Sequence, residues 1–362
     1  MRSLLITLFL FVLVLLEGCS GEGRKNAADK FYSMEDFAKV KKTDMHYHFN
    51  TTDSAIFSLA ARDNFRLIGI VDDRPFGLPM KDQQEIAFRL NDLFPEKFSF
   101  ASTFAVNGWD EDGWIDSTLT HLKYCISKGA VAVKVWKNIG MDLRDKDGKF
   151  VMVDNPELDP VFDFLAKSGI TLIGHNGEPK DCWLPLEEMI VRGNKNYYSE
   201  HPEYHMFLHP DFPSYQDQID ARDHMLAKHP DLKFVGCHLG SLEWSLDELG
   251  QRLDKFPNMA VDLSRMANLH IHAMNDRQKA RDFFIKYQDR LVYGTDRSVN
   301  RTKDVQGFLK NVHDSWLRDW KFLVTDEMIE STDVEGKYQG LKLPSAVIDK
   351  IYSKNAESWN LK

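Results

Sequence analysis

The chain has 362 residues, with 46 Lys and Arg against 55 Asp and Glu, a net charge of −9. An acidic chain without a basic cluster is not built to bind nucleic acid, and 24 Phe, 11 Tyr and 8 Trp give it too much apolar surface to stay unfolded. Its length suits two average domains or one large barrel with insertions.

The N-terminus reads as a targeting segment. Arg2 precedes an apolar run from Leu4 to Leu16, too short for a spanning helix and matched to a signal peptide over residues 1–18. Leu16-Glu17-Gly18-Cys19 resembles a bacterial lipobox, with Cys19 as the lipidated residue and Glu17 as its unusual member; ordinary secretion with cleavage nearby is the alternative. The expectation is an exported lipoprotein, anchored by lipid and facing periplasm or cell surface, with a polar tether over 19–38 and a barrel over 39–362. The remaining cysteines, Cys125, Cys182 and Cys237, are odd in number and form no C-x-x-C pair, so buried thiols are expected.

From residue 43 onward apolar runs alternate with amphipathic stretches. Strands are predicted at 43–49, 66–71, 98–104, 130–136, 170–175, 233–238, 259–263 and 291–296. Ile115, Leu119, Leu122 and Ile126 step at helical spacing, as do Leu242, Leu246, Leu249 and Leu253. Asn155-Pro156 reads as a cap followed by a first-turn proline, and Gly169 as the stop of the same helix. Repeated βα units argue for an α/β fold, a parallel sheet closed into a (β/α)8 TIM barrel. Two connections exceed simple loops: 176 to about 213 after the fifth strand, and about 316 to 344 after the eighth.

Chemistry gathers at strand ends. His46 and His48 are two apart on a strand, so both imidazoles share a face. His175 closes the fifth strand, His238 the sixth and Asp296 the eighth; in a barrel these ends meet at the catalytic mouth. Lys134 alternates with Val133 and Val135 and is expected inside the barrel. There it is carboxylated and bridges two metals, or binds a substrate carboxylate, or pairs with an acid. Arg74, Trp136, Asn138, Glu178 and Arg297 follow strands and are candidate substrate contacts. Ser241 is a candidate cap and Glu243 a candidate first-turn charge of the following helix. His201, His205 and His209 imitate a helical ligand face that Pro202 and Pro210 interrupt.

The His46-x-His48 pair, His175, the turn His238-Leu239-Gly240, the strand end Gly294-Thr295-Asp296, the stretch from His229 to Gly240 and the ending Ile351–Trp359 with its Asn355-Ala356 pair resemble the amidohydrolase superfamily. The similarity is to its amidohydrolase-2 branch, metal-dependent TIM-barrel hydrolases and decarboxylases related to aminocarboxymuconate-semialdehyde decarboxylase. The resemblance spans roughly residues 40–360. It implies metal ligation by His46, His48, His175 and Asp296, with His238 catalytic. It also implies one divalent ion, zinc first with manganese or iron as alternatives, and a second metal on a carboxylated Lys134 as the less favoured arrangement.

Three imidazoles and one carboxylate leave a coordination position open, which suits catalysis. The expected enzyme is a metal-dependent hydrolase of a lactone, ester or amide, with His238 and Asp296 moving protons and Lys134 assisting. The alternative is a non-oxidative decarboxylase or hydratase of a small carboxylic acid. Expected partners are a small-molecule substrate, the membrane through the lipid alone, and by analogy a second copy in a homodimer.

Overall fold

The computed structural model describes residues 30–330 and 333–361. The signal peptide, Cys19 and most of the tether lie outside these residues. Among the described residues, one all-parallel sheet holds nine strands: β1 (Lys42–Phe49), β2 (Phe65–Ile70), β3 (Phe98–Thr103), β4 (Ala130–Val135), β5 (Thr171–Gly174), β6 (Phe234–Gly236), β7 (Met259–Asp262), β8 (Leu291–Val292) and β9 (Arg297–Val299). Neighbours follow chain order from β1 to β8, and β9 returns to pair with β1. Of the predicted eighth strand, 291–296, only Leu291–Val292 is extended, as β8 on β7; a further piece just beyond it, β9, pairs with β1, and together they close a TIM barrel. Met45 N–H donates to the Tyr293 carbonyl (3.0 Å) across the seam.

Alternation sorts the side chains as the sequence suggests. Ala132 joins the inner core with Ile68, Ala101, Ile173, Val235, Ala260 and Val292, while Val133 and Val135 pack outward against the helices. In β1 the period is interrupted, because the register with β2 shifts between Asp44 and Tyr47. Met45 thus enters the inner core, and Asp44 reaches the outer helix carrying Trp316. The C-terminus plugs the barrel floor. Ala356, Trp359 and Leu361 sit in the inner core, Thr171 Oγ1 donates to the Trp359 carbonyl (2.6 Å), and Asn355 Nδ2 donates to the Leu291 carbonyl (2.7 Å). Asn355-Ala356 is therefore a packing motif: amide on the strand backbone, methyl in the core.

Local readings hold with small offsets. Asn155 accepts from Glu157 N–H, and Gly169 (φ 66°) ends the helix Asp159–Ser168. The helix Trp114–Ser127 buries Trp114, Thr118, Leu122 and Cys125, a stripe rotated slightly from the one read off the sequence. The helix predicted from Leu242 begins at Leu246, capped by Ser245, so Leu242 is a buried loop residue and Ser241 is no cap. Its hydroxyl donates instead to the Gly177 carbonyl (3.0 Å).

Two boundaries are corrected. Residues 30–38, expected within the tether, pack on the barrel: Phe37 is buried, Tyr32 donates to Asp349 (2.8 Å), and Trp320 donates to the Ser33 carbonyl (3.1 Å). The expected long loop from Trp316 is shorter, because one helix runs from Val305 to Val324 and buries Val312, Trp316, Trp320 and Leu323 on its inner side. Beyond it lies a small antiparallel pair, β10 (Met328–Glu330) with β11 (Lys337–Gln339). The insertion after β5 contains the helix Arg192–Glu200 and short turns.

Trp316 stacks on Phe65 with ring centres 4.0 Å apart, and its indole N–H donates to Asp44 (3.0 Å). Trp316→Ala is expected to destabilise the protein by about 3–5 kcal/mol through the cavity and the orphaned acceptor. Urea unfolding checks this, with a lower midpoint at unchanged slope as the outcome.

Candidate active site

At the C-terminal mouth of the barrel, His46 and His48 of β1 turn their Nε2 atoms to one carboxylate oxygen. Asp296 Oδ1 lies 3.2 Å from His46 Nε2 and 3.3 Å from His48 Nε2, and Oδ2 lies 3.8 Å from His238 Nε2. His46 Nδ1 donates to Asp262 Oδ2 (2.6 Å), and His48 Nδ1 lies 3.2 Å from Asp72 Oδ2 in a misaligned ion contact. With Nδ1 directed at an acid in each case, the Nε2 atoms are those facing the shared centre.

His238 is held from two sides. Asp262 Oδ1 accepts from the His238 N–H (2.7 Å) and from the Ser264 hydroxyl (2.7 Å), while Ser264 Oγ lies 2.8 Å from His238 Nδ1. A hydroxyl has one hydrogen, and an ionised carboxylate only accepts. Ser264 therefore gives its hydrogen to Asp262 and accepts from His238 Nδ1–H, an assignment made from the hydrogen-bond network. His238 Nε2 is then the unprotonated atom, turned toward Asp296. The backbone here is unusual: His238, Leu239 and Ser241 have φ of 57°, 57° and 55°, and Asp296 has 57°. Left-handed conformations in non-glycine residues concentrate at functional sites. Gly236 must lack a Cβ, because one would sit 2.8 Å from Gly240 Cα.

His175 stands beside the cluster, its ring centre 4.4 Å from that of His238, but its Nε2 faces Glu178 Oε2 (3.1 Å). Three of the four expected ligands thus converge on one point, and the fourth engages a neighbouring acid.

The amidohydrolase family model (amidohydrolase-2 type) matches residues 43–359 of this chain. The chain belongs to the amidohydrolase-2 family. No curated protein matches it in sequence. Among solved structures, an uncharacterised TIM-barrel protein from Bordetella bronchiseptica is similar at 13% identity and TM-score 0.53, covering 89% of this chain and 100% of that one. The 2,6-dihydroxybenzoate decarboxylase from Rhizobium is similar at 17% identity and TM-score 0.50, covering 89% and 99%. At such identities the likeness establishes the barrel fold alone.

The amidohydrolase-2 family is metal-dependent, and His46, His48 and Asp296 of this member form a candidate ligand group, with atoms all within 4.8 Å of one another. Electrostatics fit a cation there. Burial alone would lower the His46 pKa, but Asp296, the Cys237 thiol and Asp262 outweigh it and hold it well above the ordinary value. Burial would raise Asp296, yet the surrounding imidazoles hold it well below the carboxylate range. Burial, then the Arg265 charge, pushes His238 well below the ordinary histidine value, and burial, then His238 and Lys134, does the same to His175. Both are neutral imidazoles at pH 7.

The predicted substrate contacts fare differently in this family member. Trp136 is buried at the mouth against Phe76, with ring centres 5.9 Å apart. Asn138 donates to the Asp73 carbonyl (3.0 Å), and Glu178 is engaged by Lys137 and His175. Arg74 ion-pairs with Asp72 (3.0 Å), and Arg297 donates to Asn311 (2.7 Å), so both guanidiniums already have partners. Lys134 does point into the barrel, but it is 1% exposed and its ammonium donates to Cys237 Sγ (2.7 Å). His46 and His238 are equally buried, and the Lys134 charge reaches both His46 and His175, so its ammonium stands among the side chains of the cluster. His205 lies 2.7 Å from the Leu184 carbonyl and His209 3.0 Å from the Pro202 carbonyl, which removes the imitation ligand face.

Two residues were not singled out by the sequence. Asp262 ends β7, as Asp296 ends the predicted eighth strand, and that position was its signal. Arg265, three residues on, carried no signal beyond lying in a strand-end loop.

Glu243 is buried rather than a surface first-turn charge. Its Oε1 accepts from Lys180 N–H (2.8 Å) and its Oε2 has no partner among the described residues. Burial lifts its pKa to about 7. The folded state therefore binds more protons than the unfolded state between the ordinary Glu value and about 7, so Glu243 costs stability as pH rises through that window. Glu243→Gln is expected to remove this slope and to be more stable than wild type by roughly 2–3 kcal/mol at pH 8, but not at pH 4. Urea midpoints at the two pH values check it.

Proposed function

We propose that this protein is a metal-dependent hydrolase acting on an ester, lactone or amide. The observation that carries the reading is the His238 ring, held at Nδ1 by Ser264 (2.8 Å) with its Nε2 aimed at the carboxylate that the two β1 histidines share. His46 Nε2, His48 Nε2 and Asp296 Oδ1 would hold a divalent ion, with His175 joining by giving up Glu178; zinc is the first expectation from this donor set. Bound there, the ion supplies Lewis-acid chemistry, drawing electrons from a carbonyl and easing the deprotonation of water.

The protein's own groups do the rest. His238 Nε2 takes the proton of the attacking water and returns it to the leaving alkoxide or amine. Ser264 and Asp262 keep Nδ1–H in place, so the imidazole gains its second proton only at Nε2. Asp296 Oδ2, 3.8 Å from that nitrogen, stabilises the imidazolium that forms. Phe76 and Trp136 narrow the mouth and limit water.

Purified protein is expected to hold about one equivalent of divalent metal, removable by chelator with loss of activity on a panel of lactones, esters and amides. His238→Ala should lose about 10²–10⁴-fold in kcat while keeping the metal, and Asp296→Ala should lose the metal. Metal loss in His238→Ala overturns the single-ion arrangement. Release of CO₂ from a carboxylated acid, with no hydrolysis of the panel, overturns the hydrolase assignment in favour of decarboxylation.

We also propose lipid anchoring at Cys19, supported by the apolar run and lipobox-like sequence before it. Cys19→Ala is expected to move the protein from the membrane fraction to the soluble fraction; continued membrane association overturns the anchor.

A further inference from the structure

Six lysines stand in the turns that lead into the strands: Lys41 before β1, Lys97 before β3, Lys128 before β4, Lys167 before β5, Lys233 before β6 and Lys255 before β7. In a parallel barrel every such turn lies on the floor, at the end opposite the catalytic mouth. The six are far apart in the chain and make no basic run, so only the fold collects them. Lys41, Lys128, Lys167 and Lys255 are exposed, and Lys97 and Lys233 partly so. Among the described residues none of the six has an ion-pair partner, whereas Lys39, Lys286, Lys350 and Lys354 take up Asp36, Asp254, Asp289 and Asp349 of the same end. Glu35, Asp92, Glu96, Asp231 and Glu357 are outnumbered there by the six lysines with Lys30, Arg66 and Arg290. The floor therefore carries a positive balance while the whole chain is at −9.

The chain enters on this same face. Ser345 N–H donates to the Lys30 carbonyl (2.7 Å), Tyr32 donates to Asp349 (2.8 Å), and the Phe37 ring lies 4.5 Å from Lys42 Nζ at the foot of β1. Cys19 precedes Lys30 by eleven residues, which reach about 36–40 Å at full extension. A domain of this length is roughly 50 Å across, so a lipid on Cys19 holds the floor toward the bilayer and does not bring the mouth to it. The sign of the surface changes at the mouth, where the loop after β3 exposes Asp110, Glu111 and Asp112 and the insertion after β5 exposes Glu187 and Glu188. An anionic surface attracts the first end and repels the second.

We propose that the barrel floor is a membrane-facing surface that docks on the headgroups of anionic phospholipids, with the catalytic mouth turned away from the bilayer. The acyl anchor on Cys19 supplies retention, and the floor supplies orientation. Substrate then reaches the mouth from solution and not from within the bilayer. Ammonium groups on flexible stems are hydrated point charges, which suits a fluid layer of phosphates better than one fixed partner. The attraction is screened by salt and adds to the anchor without replacing it. Release of Cys19→Ala into the soluble fraction is therefore still expected.

The test uses the mature chain from Ser20, which keeps the whole described barrel and carries no lipid. It is sedimented with vesicles of phosphatidylcholine alone and with vesicles in which a third of the lipid is phosphatidylglycerol, at about 20 mM and about 300 mM salt. Binding is expected on the anionic vesicles at low salt, and at least about tenfold weaker binding at high salt or on the neutral vesicles. The triple variant Lys128→Glu, Lys167→Glu, Lys255→Glu is expected to bind the anionic vesicles at least about tenfold more weakly at low salt, with an unchanged unfolding midpoint. Lys146→Glu, Lys149→Glu, Lys195→Glu makes the same change of charge on exposed lysines of the mouth loops and is expected to bind as wild type does. No binding of wild type to anionic vesicles, equal binding to neutral ones, or an equal loss in the two triple variants each overturns the proposal. The titration needs no lipid on Cys19, so a failure of the anchor shows separately, as continued membrane association of Cys19→Ala.

Discussion

The Asp44 carboxylate closes the barrel, and the site depends on that closure. It accepts from Thr295 N–H (3.0 Å) and Oγ1 (2.7 Å), from the Trp316 indole (3.0 Å) and from His46 N–H (3.3 Å). A carboxylate removed from water is tolerated only when its lone pairs are answered, and here four donors from three segments answer them. One consequence is structural: β1, the broken eighth strand and the outer helix are pinned together at one point. The other is chemical, because Thr295 is fixed one residue before Asp296 and Asp44 two residues before His46. The same knot that seals the sheet brings carboxylate and imidazole within 3.2 Å of each other.

Asp262 plays the matching part above that knot. Its two oxygens divide the work, Oδ2 holding His46 and Oδ1 holding the His238 backbone and Ser264. One acid therefore sets the tautomers of two imidazoles with opposite tasks. His46 is drawn toward positive charge by the acids around it, while His238 is kept neutral by burial and Arg265. Environments that push two like groups apart in pKa mark a division of roles between ligand and base.

The barrel was legible because its signals are local. Apolar runs at strand length, turn residues and helical stripes all report on neighbours in the chain, and the ends of the predicted strands fell at the mouth with His46, His48, His175, His238 and Asp296. What was not legible depends on partners far away in sequence. Alternation correctly turned Lys134 inward, but nothing in the chain near it announces Cys237, 103 residues on. Arg74 and Arg297 look like free cations in sequence and are occupied in space, by Asp72 and by Asn311. The bulge in β1 is a further case, since a strict period of two sets Asp44 beside His46 and the shifted register separates them. The helix cap was misplaced by one turn because Ser241 and Ser245 both precede apolar steps, and only the fold decides which hydroxyl meets a first-turn N–H.

The left-handed turn from His238 to Ser241 carries the functional argument one step deeper. Non-glycine residues in that conformation cost roughly 1–2 kcal/mol each, so His238, Leu239 and Ser241 together need compensation. The surroundings provide it. The buried Arg222 donates to the Gly240 carbonyl, Tyr215 donates to the Ser241 carbonyl, Ser241 Oγ donates to the Gly177 carbonyl (3.0 Å), and Asp262 accepts from His238 N–H (2.7 Å). At about 1 kcal/mol for a neutral hydrogen bond and more for charged ones, these offset the strain without a large surplus. A relaxed turn would satisfy the same backbone groups at lower cost, so stability alone does not explain this one. What the strained path achieves is direction: it brings the His238 ring over Ser264 on one side and Asp296 on the other, a placement that a right-handed turn leaving β6 would rotate away from both.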